Sequence, residues 1–340
     1  MCPVGTVHVG DRMTVGVSRM AAFALMALIW GLTWLPMKLA SEVVPPIFLA
    51  AVRFLLAGSC FLVIVLARGL PLRTGLFGRV VVASLLITTG CYGFLFWGVA
   101  LAPSGLSATV NLALMPIFLV VIGALYGQER ITKRRAGAIA LGIAGLVLLF
   151  SGRTGAAQSG TTAAIGLAAV AVGTVCYAWG SVISRPLTQS MPPLVLAFWE
   201  SLIGGLGLVP VSILVEGYDP ARFAALGDGR AVLGLGVLVL GGSLVAFSVY
   251  LWLVRDWGPF RAGLYAFVSP IIAVAVGVVY AQEPFGWAEA LGMGIMLAAT
   301  ALSLAEPKGT AEPRHRREAE GGRLRPVRPP AVEVPGRPEP

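Results

Sequence analysis

Runs of about 20 apolar residues recur along most of the chain. At 1.5 Å per residue, a helix of that length crosses roughly 30 Å of hydrocarbon. In lipid no water is available to the backbone, so such runs must be helices that satisfy their own N–H and C=O groups. About ten runs meet the length criterion. They cover approximately 20–39, 46–67, 80–101, 106–126, 136–151, 163–184, 194–214, 231–254, 260–281 and 285–304. A membrane barrel would instead show short alternating segments. Composition agrees, with 57% apolar and 12% charged residues against about a quarter charged in soluble domains. The first run reads as a retained helix rather than a signal peptide. It is long for a signal core, holds Trp30 and Trp34, ends in Lys38 and lacks a small-x-small cleavage site.

Positive residues favour the cytoplasmic side of a membrane. With the N-terminus inside and alternating spans, inside segments hold twelve Lys and Arg residues, from Arg12 and Arg19 to Arg255 and Arg261. Outside segments hold four, Lys38, Arg153, Arg222 and Arg230. The tail adds Lys308 and seven arginines to the inside. The net charge of +9 is therefore orientation and tail charge, and a nucleic-acid partner is not expected. Residues 1–19 and the Pro- and Arg-rich tail 307–340 bury too little apolar surface to fold and are expected to be disordered. Cys60, Cys91 and Cys176 sit within spans without metal or disulfide spacing. No metal or other cofactor is expected.

The chain also repeats itself. Residues 116–129 recur at 270–283, with Pro116, Ile117, Gly123, Tyr126, Gln128 and Glu129 matched by Pro270, Ile271, Gly277, Tyr280, Gln282 and Glu283. Trp30-Gly31 is matched by Trp179-Gly180, and Pro45-Pro46 by Pro192-Pro193. The offsets are near half the apolar region, which divides it into 20–151 and 163–305. Each half holds five spans. Five is odd, so the second half enters the membrane from the opposite face. The expected fold is all-α and membrane-embedded, ten helices in two inverted five-helix repeats. Carriers that alternate access use this symmetry, with substrate held near mid-membrane between the halves.

An ionisable side chain deep in a span costs about 2.5–3.5 kcal/mol on insertion scales and needs a reason. Two lie well inside: Arg53, seven residues after Pro46, and Glu200, seven after Pro193. Both are expected to line a polar cavity. Glu200 would bind an ammonium group or carry a proton, and Arg53 would attract a carboxylate. The alternative for each is snorkelling to the nearer interface. A straight Arg53–Glu200 contact is not expected, because inversion puts them at different depths. Asn111 and Tyr265, each five residues before a matched proline, join Trp30, Trp34, Tyr177 and Trp179 as further substrate-contact candidates. Interhelical hydrogen bonding is the alternative for Asn111. Pro116 and Pro270 are expected hinges that expose carbonyls to the cavity. Glu129 and Glu283 read as structural residues that begin the next helix near its positive end, with gating as the alternative. Gly204-Gly205, Gly241-Gly242 and Gly292/Gly294 read as close-packing positions.

The order of several stretches resembles the EamA group of the drug/metabolite transporter superfamily. They are Trp30-Gly31-Leu32-Thr33-Trp34, Pro46 to Phe54 with Arg53, 100–116 with Ser107-Ala108, and Gln128-Glu129-Arg130-Ile131-Thr132 leading to Gly137, Gly142 and Gly145. Glu283-Pro284, Gly292 and Gly294 repeat the last of these. The resemblance implies ten helices in a bacterial-type inner membrane, both termini in the cytoplasm, and export or exchange of a small metabolite. It also implies limits. Relatives that carry phosphorylated cargo need several cationic groups, and here only Arg53 is deep. Small multidrug relatives use a carboxylate in the first helix, and here Glu42 lies beyond its end. A zwitterionic or weakly polar metabolite, such as an amino acid or aromatic compound, is the expected cargo, and proton coupling is compatible with it. A membrane-embedded enzyme is disfavoured, since His8 and His315 both lie in the terminal segments. No Gly-Lys-Ser/Thr loop indicates ATP binding. A non-transporting membrane partner is the other alternative.

Overall fold

The computed structural model describes residues 9–102, 104–151, 161–280 and 286–305, and every element in them is helical. In chain order these are α1 (Val9–Leu32), α2 (Trp34–Ser41), α3 (Pro46–Ala67), α4 (Phe77–Ser84), a π-helical stretch π1 (Leu85–Gly90) and α5 (Cys91–Leu101). Then come α6 (Ser104–Leu125), α7 (Lys133–Ser151), α8 (Thr161–Ser190), α9 (Pro193–Glu216) and α10 (Ala221–Ala225). The series ends with α11 (Gly229–Gly236), a second π-helical stretch π2 (Val237–Phe247), α12 (Ser248–Trp257), α13 (Pro259–Gly263), α14 (Tyr265–Tyr280) and α15 (Trp287–Leu304). Six rods are long and apolar enough to cross a membrane: Pro46–Ala67, Phe77–Gly98, Thr161–Ser190, Pro193–Glu216, Gly229–Trp257 and Trp287–Leu304. Ser18–Leu32 and Val110–Leu125 are shorter apolar helices. The chain is a multi-pass membrane protein.

Local chemistry explains the boundaries. Pro46 and Pro193 stand at helix starts, where a missing N–H is harmless and a fixed φ helps. The first apolar run is broken between α1 and α2, because the ring of Pro36 crowds the carbonyl four residues back, at Leu32 where α1 ends. Helix α1 begins at Val9, inside the segment 1–19 expected to be disordered. No proline interrupts Val9–Leu32, so helical hydrogen bonding propagates outward from the apolar part. The tail 307–340 and Glu283 lie outside the described residues, as does the side chain of Trp34.

The packing pairs the two halves. Helix α3 lies along its repeat counterpart α9, and α7 along its counterpart α15. Helix α8 packs on α5 and α6, and α1 packs correspondingly on π2, α12 and α14. Neighbours in one half thus recur with the halves exchanged. Facing glycines bring α7 and α15 together: a Cβ built at Gly145 would lie 2.8 Å from Gly292 O, and one at Gly292 would lie 2.7 Å from Gly145 O. Among lipid-soluble surfaces, where no hydrophobic force draws helices together, such close van der Waals contact is the main glue.

At one end of the bundle, Arg19 pairs with Asp256 at 2.7 Å. At the other, the Glu216 carboxylate receives the Ile47 N–H at 2.8 Å and the Phe48 N–H at 3.0 Å. The end of α9 therefore neutralises the positive terminus of α3 with a negative charge.

Candidate functional site

Between the halves lies a cavity of about 110 Å³. Trp30, Thr33 and Met37 line it from α1, α2 and their junction, Arg53 from α3, and Cys91, Tyr92 and Leu95 from α5. Asn111, Leu112 and Met115 of α6, Tyr177 of α8, and Tyr265 and Ser269 of α14 complete it. A narrower crevice continues from it past Arg53 and Tyr92 to Ile87 and Thr88 of π1 and to Gly242, Ser243 and Phe247 of π2. Both halves contribute walls, and a π stretch from each half meets the crevice. Such stretches disturb the regular turn and are frequent at functional sites.

Arg53 is the one cation in these walls. Its residue is 6% exposed, so a bare charge there must be compensated. Its Nε donates to Ser243 Oγ at 3.1 Å. The guanidinium carbon stands 5.0 Å from the Phe54 ring centroid and 5.6 Å from that of Tyr92, within cation–π range. Gly242 leaves space for it, since a Cβ there would lie 3.1 Å from Arg53 Nη2. No carboxylate pairs with Arg53 among the described residues.

An aromatic cluster meets the same glycine. The Trp30 indole donates to Gly242 O at 3.0 Å, which fixes the ring. Its centroid is 4.4 Å from Tyr265, edge-on, and 5.5 Å from Tyr250. Tyr177 and Tyr250 are 5.8 Å apart. Pro116 and Pro270 are buried inside α6 and α14. Pro116 leaves the carbonyl of Leu112, a cavity residue, without its helical donor.

The structure therefore gathers Arg53, Asn111, Tyr265, Trp30 and Tyr177 around one cavity. Glu200 is not in its wall. It is fully buried between α8 and α9, where Ser184 Oγ donates to its Oε1. Trp179 faces outward, 43% exposed, and donates to Tyr126 Oη at 2.8 Å. Tyr92 and Ser243 are cavity or crevice residues that the sequence does not single out, and Gly242, read as a close-packing position, and Thr33, read only as part of the Trp30–Trp34 stretch, join them. Tyr92 was findable as a polar aromatic inside an apolar run.

One end of the bundle is closed by a charged cluster. Glu129 pairs with Arg135 at 2.7 Å. It does not begin α7, because the cap there is Thr132, whose hydroxyl accepts the Arg135 N–H at 3.2 Å. Glu129 instead folds back over Gly123 and onto Gly258, where a Cβ would lie 2.6 Å from Glu129 Oε1. Arg185 donates to Gln128 O at 2.9 Å. Pro186 deprives the Val182 carbonyl of its helical donor, and the Gln128 amide replaces it at 2.9 Å. Burial pushes the Glu129 carboxyl up from its ordinary value, against the opposing pull of Arg135, Arg185 and Arg261. Arg19 and Asp256 close the same end, near Gly258. Arg19 and the cavity residue Met37 are 18 residues apart along α1 and α2, so the cavity lies several helical turns from this end.

The profile of the EamA-like transporter family matches residues 18–151 and again 164–305. A relative from Escherichia coli strain K12, named "Uncharacterized inner membrane transporter YedA", is 31% identical over 284 residues, 83% of this chain and 89% of its own length. A Salmonella typhimurium protein named "Probable amino-acid metabolite efflux pump" is 26% identical over 280 residues, 81% of this chain and 90% of its own. Protein PecM of Dickeya dadantii is 26% identical over 284 residues, 83% and 91% of the two chains. One solved crystal structure shares the fold at a TM-score of 0.71 and 23% identity, covering 84% of this chain and 96% of its own.

Proposed function

Because this chain belongs to the EamA-like transporter family and is a membrane transporter rather than an enzyme, we propose that it exports or exchanges a small carboxylate-bearing metabolite, an amino acid or aromatic acid, by alternating access. The observation that carries the cargo class is Arg53: a buried guanidinium at the cavity with no carboxylate partner among the described residues. A carboxylate cargo would complete the site by charge-assisted, bidentate hydrogen bonds. Trp30, Tyr177 and Tyr265 then offer an apolar aromatic surface, and Asn111 a further donor or acceptor. A single cation suits one carboxylate better than a phosphate group. The amino-acid efflux named for the Salmonella relative points to the same cargo class.

Ten spans in two inverted repeats, 20–151 and 163–305, supply the mechanism. In support, the packing partners of α1 and α8 are exchanged between the halves, and counterpart helices pair as α3 with α9 and α7 with α15. The Glu129 cluster is the closed cytoplasmic end, and the cavity extends away from it. Pro116 and Pro270 are the hinges. Both termini lie in the cytoplasm of a bacterial-type inner membrane.

The test is counterflow of labelled amino acids into proteoliposomes. Wild-type protein is expected to exchange phenylalanine, with Arg53→Gln raising KM roughly 10–100-fold, the equivalent of about 1.5–3 kcal/mol for a lost charged hydrogen bond. Phenethylamine, which lacks the carboxylate, is expected to inhibit wild type and Arg53→Gln equally. Unchanged KM for phenylalanine in Arg53→Gln would rule out carboxylate recognition by Arg53.

A further inference from the structure

Glu200 is a fully buried carboxylate that neither pairs with a cation among the described residues nor lines the cavity, and its burial needs a cause. Ser184 donates to Oε1, whereas Oε2 has no partner, and neither does the neighbouring Ser201 hydroxyl. Helix α8 presents Ser184 to it, and α12, which carries Tyr250, packs on α9. From α3, α4, π1 and α5, the other elements packed on α9, no basic group and no second carboxylate faces it. A carboxylate held this way in a membrane interior is stable with a proton on the unpaired oxygen.

A route to it is also present. Tyr177, Ser181 and Ser184 lie at positions i, i+4 and i+7 of α8, on one buried face. Tyr177 stands in the cavity wall, its hydroxyl beside those of Tyr250 and Tyr265. Tyr250 Oη donates to Ser181 Oγ at 2.8 Å. Hydroxyls therefore line the face from the cavity to the carboxyl; Ser181 Oγ, which accepts from Tyr250, donates to Tyr177 O at 2.8 Å and must turn to pass a proton toward Ser184.

We propose that Glu200 is the proton-loading site that couples cargo movement to a proton gradient, reached from the cavity along this seam of α8. One proton from water bonds to Oε2 when the site faces one side and leaves to water when it faces the other. No electron transfer and no other co-reactant is involved. The inference rests on the carrier reading above and names its coupling ion.

The test uses full-length protein in liposomes containing a pH-sensitive dye, with tritiated phenylalanine as probe. Wild type is expected to show phenylalanine accumulation driven by a pH gradient and a proton flux that accompanies it. Glu200→Gln, close in shape, is expected to lose both while keeping wild-type counterflow, and Glu200→Asp to regain gradient-driven uptake. Persistence of proton flux in Glu200→Gln, or sodium replacing the proton in wild type, would overturn the proposal. If wild type shows no counterflow, the carrier reading fails, and Glu200 is then read without cargo. An infrared band of a protonated carboxyl is expected in wild type, absent from Glu200→Gln, and with a shifted titration midpoint in Ser184→Ala. An identical band in Glu200→Gln would overturn the proposal on this arm.

Discussion

Single residues carry the chemistry, and they differ in how openly the sequence displays them. Arg53, Glu200 and Asn111 stand out because a charge or amide inside an apolar run is costly. Trp30, Tyr177 and Tyr265 were readable as polar-tipped aromatics in the same runs. Ser243 and Gly242 were not, since a serine and a glycine in an apolar helix look like packing residues until Arg53 is seen resting on them. Trp179 shows the limit of the repeat: it matches Trp30 in sequence, yet it faces outward. Glu129 supplies a pH-dependent readout. Its folded-state pKa is raised by burial. Such a group favours the folded state most below its unfolded value of about 4.3, and that contribution is lost as pH rises through the folded value. Thermal unfolding in detergent should therefore show the wild-type midpoint falling relative to Glu129→Gln across that rise. Parallel curves would remove Glu129 from the pH dependence of stability.

At the scale of elements, most boundaries follow from prolines and glycines the sequence displays. Pro46 and Pro193 start helices at their own positions, whereas Pro36 splits the first run in a way that hydropathy alone could not show. Hydropathy also gave no sign of π1 and π2, because a π turn changes which face a residue presents without changing how apolar it is. Close packing makes a sharper prediction. Gly292→Val pushes a side chain into the α7 backbone at Gly145 and should cost about 1–3 kcal/mol as overpacking. The control is Gly294→Val two residues on, where a Cβ meets nothing within 4 Å. A lowered thermal midpoint for the first and not the second is expected. Equal effects would show that α7–α15 contact does not limit stability.

For the whole molecule, the exchanged-neighbour packing and the charge asymmetry of the loops make a topological claim that labelling can check. In a background lacking native cysteines, Ile131→Cys, 63% exposed, should react with an impermeant maleimide only from the cytoplasmic side. Tyr218→Cys, 72% exposed, should react only from outside. Reaction of both from one side would end the inverted arrangement. The two π stretches have a consequence of another kind. Each holds additional residues in a span of fixed height, so the part of the rod beyond it is rotated in phase with the part before. Helix α4 and π1 pack on both α8 and α9, whereas α5 packs mainly on α8. Deleting one residue from the regular α-helical part of either rod would rotate everything downstream by about 100°. Within these two rods the chain can tolerate many substitutions but hardly any change of length, and the spacing between their ends is as fixed as a tooth count in a gear.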